Sequence, residues 1–282
     1  MATASDDRRV VFTDLDGTLL NADQALGEKN RSTLIELASR GITRVVITGR
    51  SLLSCDRVID PDFPIDFLVT SSGAGIFRHQ PRTLLHHFGL SPSEIKTAVK
   101  VLQTLELDFM LHDTVPDNHR FRWRRFGAVN SDFDRRLSLY AGHHEMLDPA
   151  APLPSTGAQL LAISQASSAT QQHELLRDQL PEHHVIRTTS PLDHKSTWFE
   201  IFPKSVGKAQ AARWICETLR LDAGSALAIG NDFNDVDMLR WAPIARVVSN
   251  SPKALTDEFP TVADYERAGF SEAVEAWLRQ TA

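Results

Sequence analysis

Disulfides are the first thing this chain can do little with: its 282 residues include two cysteines, Cys55 and Cys216. That excludes a disulfide-stapled scaffold and a cysteine-rich zinc site. Basic charge is also short. Thirty Lys and Arg against 36 Asp and Glu leave a net charge of −6 and a sequence pI of about 6.0, which argues against a general nucleic-acid or membrane-surface binder. No apolar run approaches membrane-spanning length, and the polar stretch from Met1 to Arg9 lacks the apolar core of a secretory signal. The expected setting is soluble and cytoplasmic, with no nucleic-acid or membrane partner. Internal repeats, low-complexity tracts and the Gly-x-Ser-x-Gly elbow of a serine hydrolase are all missing. Gly73-Ala74-Gly75 is a loop fragment, not a dinucleotide fingerprint. At 42% hydrophobic and 23% charged residues, the composition is that of a globular protein of one large domain or two ordinary ones.

What is present begins at Val10–Thr18. An apolar run ends in two carboxylates one residue apart, Asp14 and Asp16, followed by Gly17 and Thr18. Alternate strand residues point the same way, so the two acids start out on one side of the backbone. Held together, they cannot both ionise easily without a cation or a shared proton.

The segments around this run alternate between strand and helix. Val10–Thr13 reads as a buried strand, Asn30–Arg40 as a helix closed by Gly41, Arg44–Thr48 and Phe67–Thr70 as further strands. This rhythm predicts a parallel sheet with right-handed crossovers, with ligands beyond the carboxyl ends of the strands. Asp14, Asp16, Thr48, Ser71 and Ser72 all stand at such ends.

The middle of the chain changes character. Ser91-Pro92-Ser93-Glu94 is a capping box with proline at the first helical position. Strand-like runs at 108–112, 119–126, 160–164, 184–188 and 197–202 alternate with helical stretches near 132–140 and 171–180. They predict an α+β module with an antiparallel sheet. After Pro203 the first rhythm returns: Ala209–Leu219 is helical, Ser225–Ile229 a strand ending in Gly230-Asn231-Asp232, 246–248 a short strand and Gly269–Leu278 a closing helix. The expected division is an α/β core of residues 1–80 and 204–282, split by an inserted α+β domain of residues 81–203.

Four pieces of the core fit one chemistry: Asp14 with Asp16; Thr48 in Ile47-Thr48-Gly49-Arg50; Lys208 at a helix start; and the acidic loop Gly230-Asn231-Asp232-Phe233-Asn234-Asp235. A phosphoryl dianion with a magnesium ion needs this inventory of carboxylates, a cation, hydroxyl and backbone donors, and a nucleophile. With these motifs, in this order, the chain resembles the haloacid dehalogenase superfamily of phosphatases. The resemblance covers both α/β parts. The insertion is similar to the superfamily's type II cap, in its B form, as in sugar-phosphate phosphatases.

The resemblance implies a Rossmann-like parallel core and a Mg2+-dependent phosphatase acting on a small phosphorylated metabolite, a sugar phosphate first of all, through an aspartyl-phosphate. It makes Asp14 the nucleophile and Asp16 the general acid/base, which also offers its carbonyl to Mg2+. Thr48, Gly49, Lys208 and Asn234 would bind the phosphoryl group. Asn231, Asp232 and Asp235 would complete the metal site with Asp14 and Asp16. Two departures stand out. Many relatives have Gly-Asp where this chain has Gly230-Asn231, so either the neutral amide of Asn231 or the carboxylate of Asp232 supplies the third ligand. Relatives often carry Asn-Gly-Ala where Ser72-Gly73-Ala74 stands. Two other readings use the same fold, a phosphosugar mutase and a non-catalytic sensor of a phosphorylated ligand. Oligomeric state is open.

In His119–Phe126 a strand would place Arg120, Arg122 and Arg124 on one face and Phe121 and Trp123 on the other. The plainer reading is a solvated basic face; the sharper one has Arg122 and Arg124 meeting an anionic substrate. The pairs His86/His87, His143/His144 and His183/His184 lack metal-ligand spacing and are expected to be structural or surface residues, since adjacent side chains point apart.

Overall fold

In the computed structural model, which describes residues 9–127, 129–165 and 169–280, the Val10–Thr13 strand (β1) is buried at every position. An unbroken apolar run of this kind belongs in a sheet covered on both faces. The polar stretch up to residue 8 lies outside the described residues. After β1 come α1 (Glu28–Ser39), β2 (Thr43–Ile47), a short α2 (Leu52–Cys55), β3 (Phe67–Thr70), β4 (Gly75–Arg78) and β5 (Thr83–His87). The middle contains α3 (Pro92–Thr104), β6 (Phe109–His112), β7 (Phe121–Arg124), α4 (Ser131–Leu139), β8 (His144–Met146), β9 (Gln159–Ser164), α5 (Ala169–Gln179), β10 (His183–Thr189) and β11 (Thr197–Pro203). The last part runs α6 (Lys208–Leu219), β12 (Leu227–Gly230), α7 (Val236–Trp241), β13 (Ile244–Val248), α8 (Lys253–Glu258), β14 (Thr261–Val262) and α9 (Gly269–Gln280).

Two compact units result. Met1–Arg50, Ser54–His86 and Lys208–Ala282 form one; Ser51–Leu53 and His87–Gly207 form the other. The division falls a few residues past 80/81 and 203/204. β5 continues the sheet of the first unit, and the Val206 carbonyl is bound by the His184 ring of β10 in the second.

Among the described residues, the first unit holds an eight-stranded sheet in the order β14-β13-β12-β1-β2-β3-β4-β5. β14 through β3 are parallel, and β4 turns back antiparallel to β3. The chain leaves β1 toward β2 and later returns to its other side as β12. That reversal of strand order opens a crevice beyond the carboxyl ends of β1 and β12. Helices α1 and α9 pack together over β2 and β12–β14, and α7 packs on β12, β13 and α6. Phe12 meets the Trp241 ring edge-on at 5.6 Å, and the Trp277 indole N–H donates to the Ser225 carbonyl at 3.0 Å.

β4 and β5 were not expected from the sequence, although Ser72-Gly73 and Pro81 mark the turns on either side of β4. The reversal after β3 uses Ser71, Ser72 and Gly73, all at positive φ (50°, 54° and 116°), a conformation that serine rarely adopts. β5 alternates exposed and half-buried residues, the weak pattern of an edge strand.

The second unit is a six-stranded sheet among the described residues, in the order β10-β11-β9-β6-β7-β8, antiparallel except for the β7–β8 pair. Its two faces are separated by the period-2 alternation of strands. Phe109, Leu111, Leu160, Ala162, Phe199 and Ile201 join one core with Ile95, Val99 and Leu102 of α3. Met110, Phe121, Leu161, Ile163 and Trp198 join another with Phe133 of α4. The capping box at the start of α3 forms: the Ser91 hydroxyl accepts from the Glu94 N–H, and the Glu94 carboxylate accepts from the Ser91 N–H. The run 119–126 yields a strand of only four residues, Phe121–Arg124. No helix among the described residues is long and apolar enough to cross a membrane.

Candidate active site

Asp14 is the first residue past β1. Its N–H still donates to the Ile229 carbonyl of β12 at 2.9 Å, so the backbone holds it at the crevice while its side chain is freed from the sheet. One carboxylate oxygen accepts from Lys208 Nζ at 2.6 Å and the other from the Thr18 hydroxyl at 3.2 Å. Lys208 opens α6, fully buried, and its ammonium also reaches the Asp235 carboxylate at 2.5 Å. One cation is therefore shared by two buried carboxylates.

That sharing sets the electrostatics. Burial pushes the Asp14 carboxyl up to about 7; Lys208 works against this, while Asp235 and Asp16 add to it. Burial also opposes the charge on Lys208, but two carboxylates outweigh it and hold the ammonium above its ordinary value. The two directions agree: the ammonium has two anions, and each anion has half an ammonium.

Asp235 was read from the sequence as one of the metal ligands, and in the structure both of its oxygens have partners within the chain. One oxygen takes Lys208; the other accepts the N–H groups of Asn231 and Asp232 at 2.8 and 3.0 Å. The side chain is wholly buried. It holds the lysine and ties the loop together instead of presenting an open oxygen. Gly230 makes this possible, because a Cβ there would lie 2.6 Å from the Asp235 Cβ. Asp232 caps the following turn, its carboxylate accepting the Phe233 N–H at 2.7 Å.

Asp16 points elsewhere. Its two oxygens form a fork with Arg50, at 2.7 Å from Nε and 2.6 Å from Nη2. The sequence reading did not single out Arg50, although it is the last residue of the Ile-Thr-Gly-Arg motif. Arg50 also donates to the Ser54 carbonyl at 3.3 Å and the Gln24 side-chain oxygen at 3.1 Å. Such bidentate pairing fixes both partners more firmly than a single ion pair.

The loop after β2 completes this pole. The Thr48 hydroxyl accepts the Arg50 N–H at 3.1 Å. The left-handed turn after β3 locks onto the same loop: the Ser71 N–H donates to the Arg50 carbonyl and the Ser72 N–H to the Thr48 carbonyl. A Cβ on Gly49 would lie 3.7 Å from the Ser72 hydroxyl oxygen and 3.9 Å from Asn234 Nδ2. The Thr48–Gly49 loop, Ser72 and Asn234 therefore come together from three separate stretches of chain.

Asn231 stands on the other side, against the turn that carries Asp16. Gly17 has φ +68°, and a Cβ there would lie 2.6 Å from Asn231 Nδ2. The Gly17 carbonyl accepts from Asn250 Nδ2 at 2.9 Å. Asn250 was not singled out from the sequence; nothing in its local pattern marks it. Among the described residues, no group of three or more His, Cys, Asp or Glu side chains is arranged as a metal site. The oxygen-bearing side chains at the β1/β12 crevice are the Asp14 carboxylate and the Asn231 amide, whose Nδ2 lies where the Gly17 turn leaves room. That set fits a hard cation such as Mg2+, which takes one or two protein oxygens and keeps waters.

The basic face of the second unit is largely compensated. Arg122 pairs with Asp113 at 3.0 Å and Glu145 at 2.8 Å, so it is not a free cation waiting for an anion. Arg124 lies over the Phe126 ring at 5.2 Å. The histidine pairs have structural contacts: His86 stacks on Trp214, His144 accepts from the Trp123 indole, and His183 bonds the Glu94 carbonyl.

The model of the haloacid dehalogenase-like hydrolase family matches residues 11–269. The chain is 25% identical over 253 residues to the HMP-PP phosphatase of Escherichia coli O157:H7 (strain EC4115), covering 89% of this chain and 88% of that protein. It is 23% identical over 280 residues, and 96% of each chain, to the 5-amino-6-(5-phospho-D-ribitylamino)uracil phosphatase YcsE of Bacillus subtilis (strain 168). In fold it is similar to the phosphatase BT1666 from Bacteroides thetaiotaomicron, with a TM-score of 0.76, 17% identity and 98% of each chain covered. It is also similar to the subclass IIB sugar phosphatase BT4131, with a TM-score of 0.73, 15% identity, and 95% and 98% covered. The chain belongs to the haloacid dehalogenase-like hydrolase family, among its phosphatases.

Proposed function

We propose that this chain is a Mg2+-dependent phosphatase of a small phosphorylated metabolite, a sugar phosphate first, working through an aspartyl-phosphate on Asp14. The observation that supports it most is the buried Asp14–Lys208–Asp235 array at the end of β1, in the same unit as the Thr48–Gly49 loop with Ser72 and Asn234. Asp14 contributes the attacking oxygen, and its bonds to Lys208 and Thr18 fix the direction of that oxygen before substrate arrives. Thr48, the Gly49 backbone, Asn234 and Lys208 supply donors for the phosphoryl oxygens.

Asp16 is the proton carrier. It protonates the leaving alkoxide as the P–O bond breaks and Asp14 becomes the acyl phosphate. It then takes a proton from the water that attacks phosphorus and returns Asp14 as a carboxylate. To do so it turns out of the Arg50 fork, and its half-exposed side chain has space for that. Asp14, Asn231 and the Asp16 carbonyl would hold Mg2+, which when bound offsets charge on the phosphoryl oxygens. The second unit is proposed as the cap that tells one leaving group from another. The named relatives act on compounds that differ in the leaving group and share the phosphoryl group, which supports this division of labour.

The test is phosphate release by the purified chain from a panel of sugar phosphates, nucleotides and phosphorylated cofactors, with Mg2+ and with EDTA. Release from at least one monoester that EDTA stops is expected. A chain that binds phosphorylated compounds and releases nothing is a sensor; one that moves the phosphoryl group within a sugar is a mutase.

A further inference from the structure

One face of the second unit's sheet carries buried polar atoms that the fold leaves unbonded. His112 and Gln159 are direct partners across β6 and β9, two residues beyond the partnered Met110 and Leu161. Direct partners share a face, so both extend the face that packs against Phe133 of α4. The two residues are 2% and 5% exposed. His112 Nδ1 lies 2.7 Å from the Asn118 carbonyl oxygen. A carbonyl only accepts, so Nδ1 carries the proton and Nε2 is a bare lone pair. Burial, with the Arg136 charge, pushes the ring down to about 3, which keeps it neutral. Arg136, on α4, stands over the same face, its guanidinium 4.6 Å from the Trp198 ring centre. Among the described residues, His112 Nε2, the Gln159 side-chain oxygen and Arg136 Nε are buried with no hydrogen-bond partner.

A buried polar group left unbonded costs more than its bond is worth, so three on one face need a reason. Two are neutral acceptors, which need O–H or N–H donors; the third is a guanidinium N–H, which needs an acceptor. A chain of hydroxyl-bearing carbons supplies both from every oxygen. A second anionic group would set its lone pairs against those of His112 and Gln159. A flat heteroaromatic ring would need an open ring face, and the rings here are taken. Phe121 has His112 at 4.9 Å and His144 stacked at 5.5 Å; Arg136 covers Tyr140 as well as Trp198. We infer that His112, Gln159 and Arg136 form a hydroxyl-binding site that selects a polyol or sugar leaving group over an apolar, anionic or heteroaromatic one. The inference rests on the phosphatase reading and deepens it to the leaving group.

The test uses monoesters matched in carbon number and different in hydroxyls: pentitol and pentose phosphates against pentyl phosphate, hexitol and hexose phosphates against hexyl phosphate. Binding is read by calorimetry with Mg2+ on the full Asp14→Asn chain, which spares the ligand. In at least one pair the hydroxylated monoester is expected to bind at least about tenfold more tightly than its alkyl partner. His112→Phe and Gln159→Leu, each added to that chain, are expected to shrink the ratio by about two- to tenfold. Equal binding of both members in every pair overturns the inference. So does an unchanged ratio in variants that melt like the parent, in which case the three atoms hold buried water only. If neither variant folds, Arg136→Lys, which keeps the charge and loses the Nε donor, decides by the same ratio. A chain that prefers the hydroxylated monoesters and hydrolyses none keeps this site and loses the phosphatase reading. A phosphatase that binds both members of every pair alike does the opposite.

Discussion

Two buried aspartates, one in each unit, meet the same cost of burial in different ways. Asp132, in the second unit, accepts hydrogen bonds from the Ser190 hydroxyl at 2.9 Å and the Trp198 indole at 2.6 Å. Neutral donors satisfy it, and it joins α4 to the strand and loop beneath. Asp14, in the first unit, shares a single ammonium with Asp235. Its charge is undercompensated by design of the neighbourhood, and its carboxyl is held high. The difference separates a carboxylate held by neutral donors from one that shares its cation with a second carboxylate. Burial alone does not distinguish them; the partners do.

The largest expected effect breaks the Asp14 side of this comparison. Asp14→Asn keeps the shape and removes the nucleophile, so turnover should fall by at least about 10⁴-fold and no phosphoenzyme should form. Near-normal turnover in that variant would sink the assignment. Lys208→Met comes next. It leaves two carboxylates buried without their cation, a change that costs about 3–5 kcal/mol in comparable pairs, read as a drop in the denaturant midpoint. If stability is unchanged, the ammonium is not what holds the array. Asp132→Asn sharpens the other side: the loss should be about 1–3 kcal/mol, with kcat per folded molecule unchanged. A kcat defect there would blur the distinction drawn here.

The smallest effect is a pH dependence. The Asp14 carboxyl is raised from 3.8 to about 7 in the folded metal-free chain, so ionising it opposes folding. Its favourable contribution is full below about pH 4, declines as pH rises toward 7, and is flat above that. Asp14→Asn should remove this slope, as seen by comparing melting temperatures of the two proteins in EDTA across that window.

Much of the fold is legible in the sequence because its carriers are local. β1 and β12 announce themselves as apolar runs ending in acids, and α3 by its capping box. The candidate site residues Asp14, Thr48 and Lys208 each lie at an element boundary, and Asn234 in the turn between β12 and α7. What the sequence hides is which groups are already spoken for. Asp235 looks like one more ligand in an acidic loop until its oxygens are traced to Lys208 and two N–H groups. Arg50 and Asn250 act on Asp16 and Gly17 across 34 and 233 residues, and no local pattern encodes such distances. Ser72-Gly73 marks a turn after β3, but not the left-handed serines that send the chain back as the antiparallel β4.

The Lys208–Asp14 bond spans 194 residues, and β1 gains β12 as a partner only when residue 227 has been made. During synthesis, β1 therefore lacks one of its two neighbours until the second unit and β12 have been made. Contacts of such sequence separation form late, after their loop-closure entropy has been met. Truncation anywhere before residue 235 leaves Asp14 without its complete array. Activity should appear only with the final segment in place, as one event rather than by degrees.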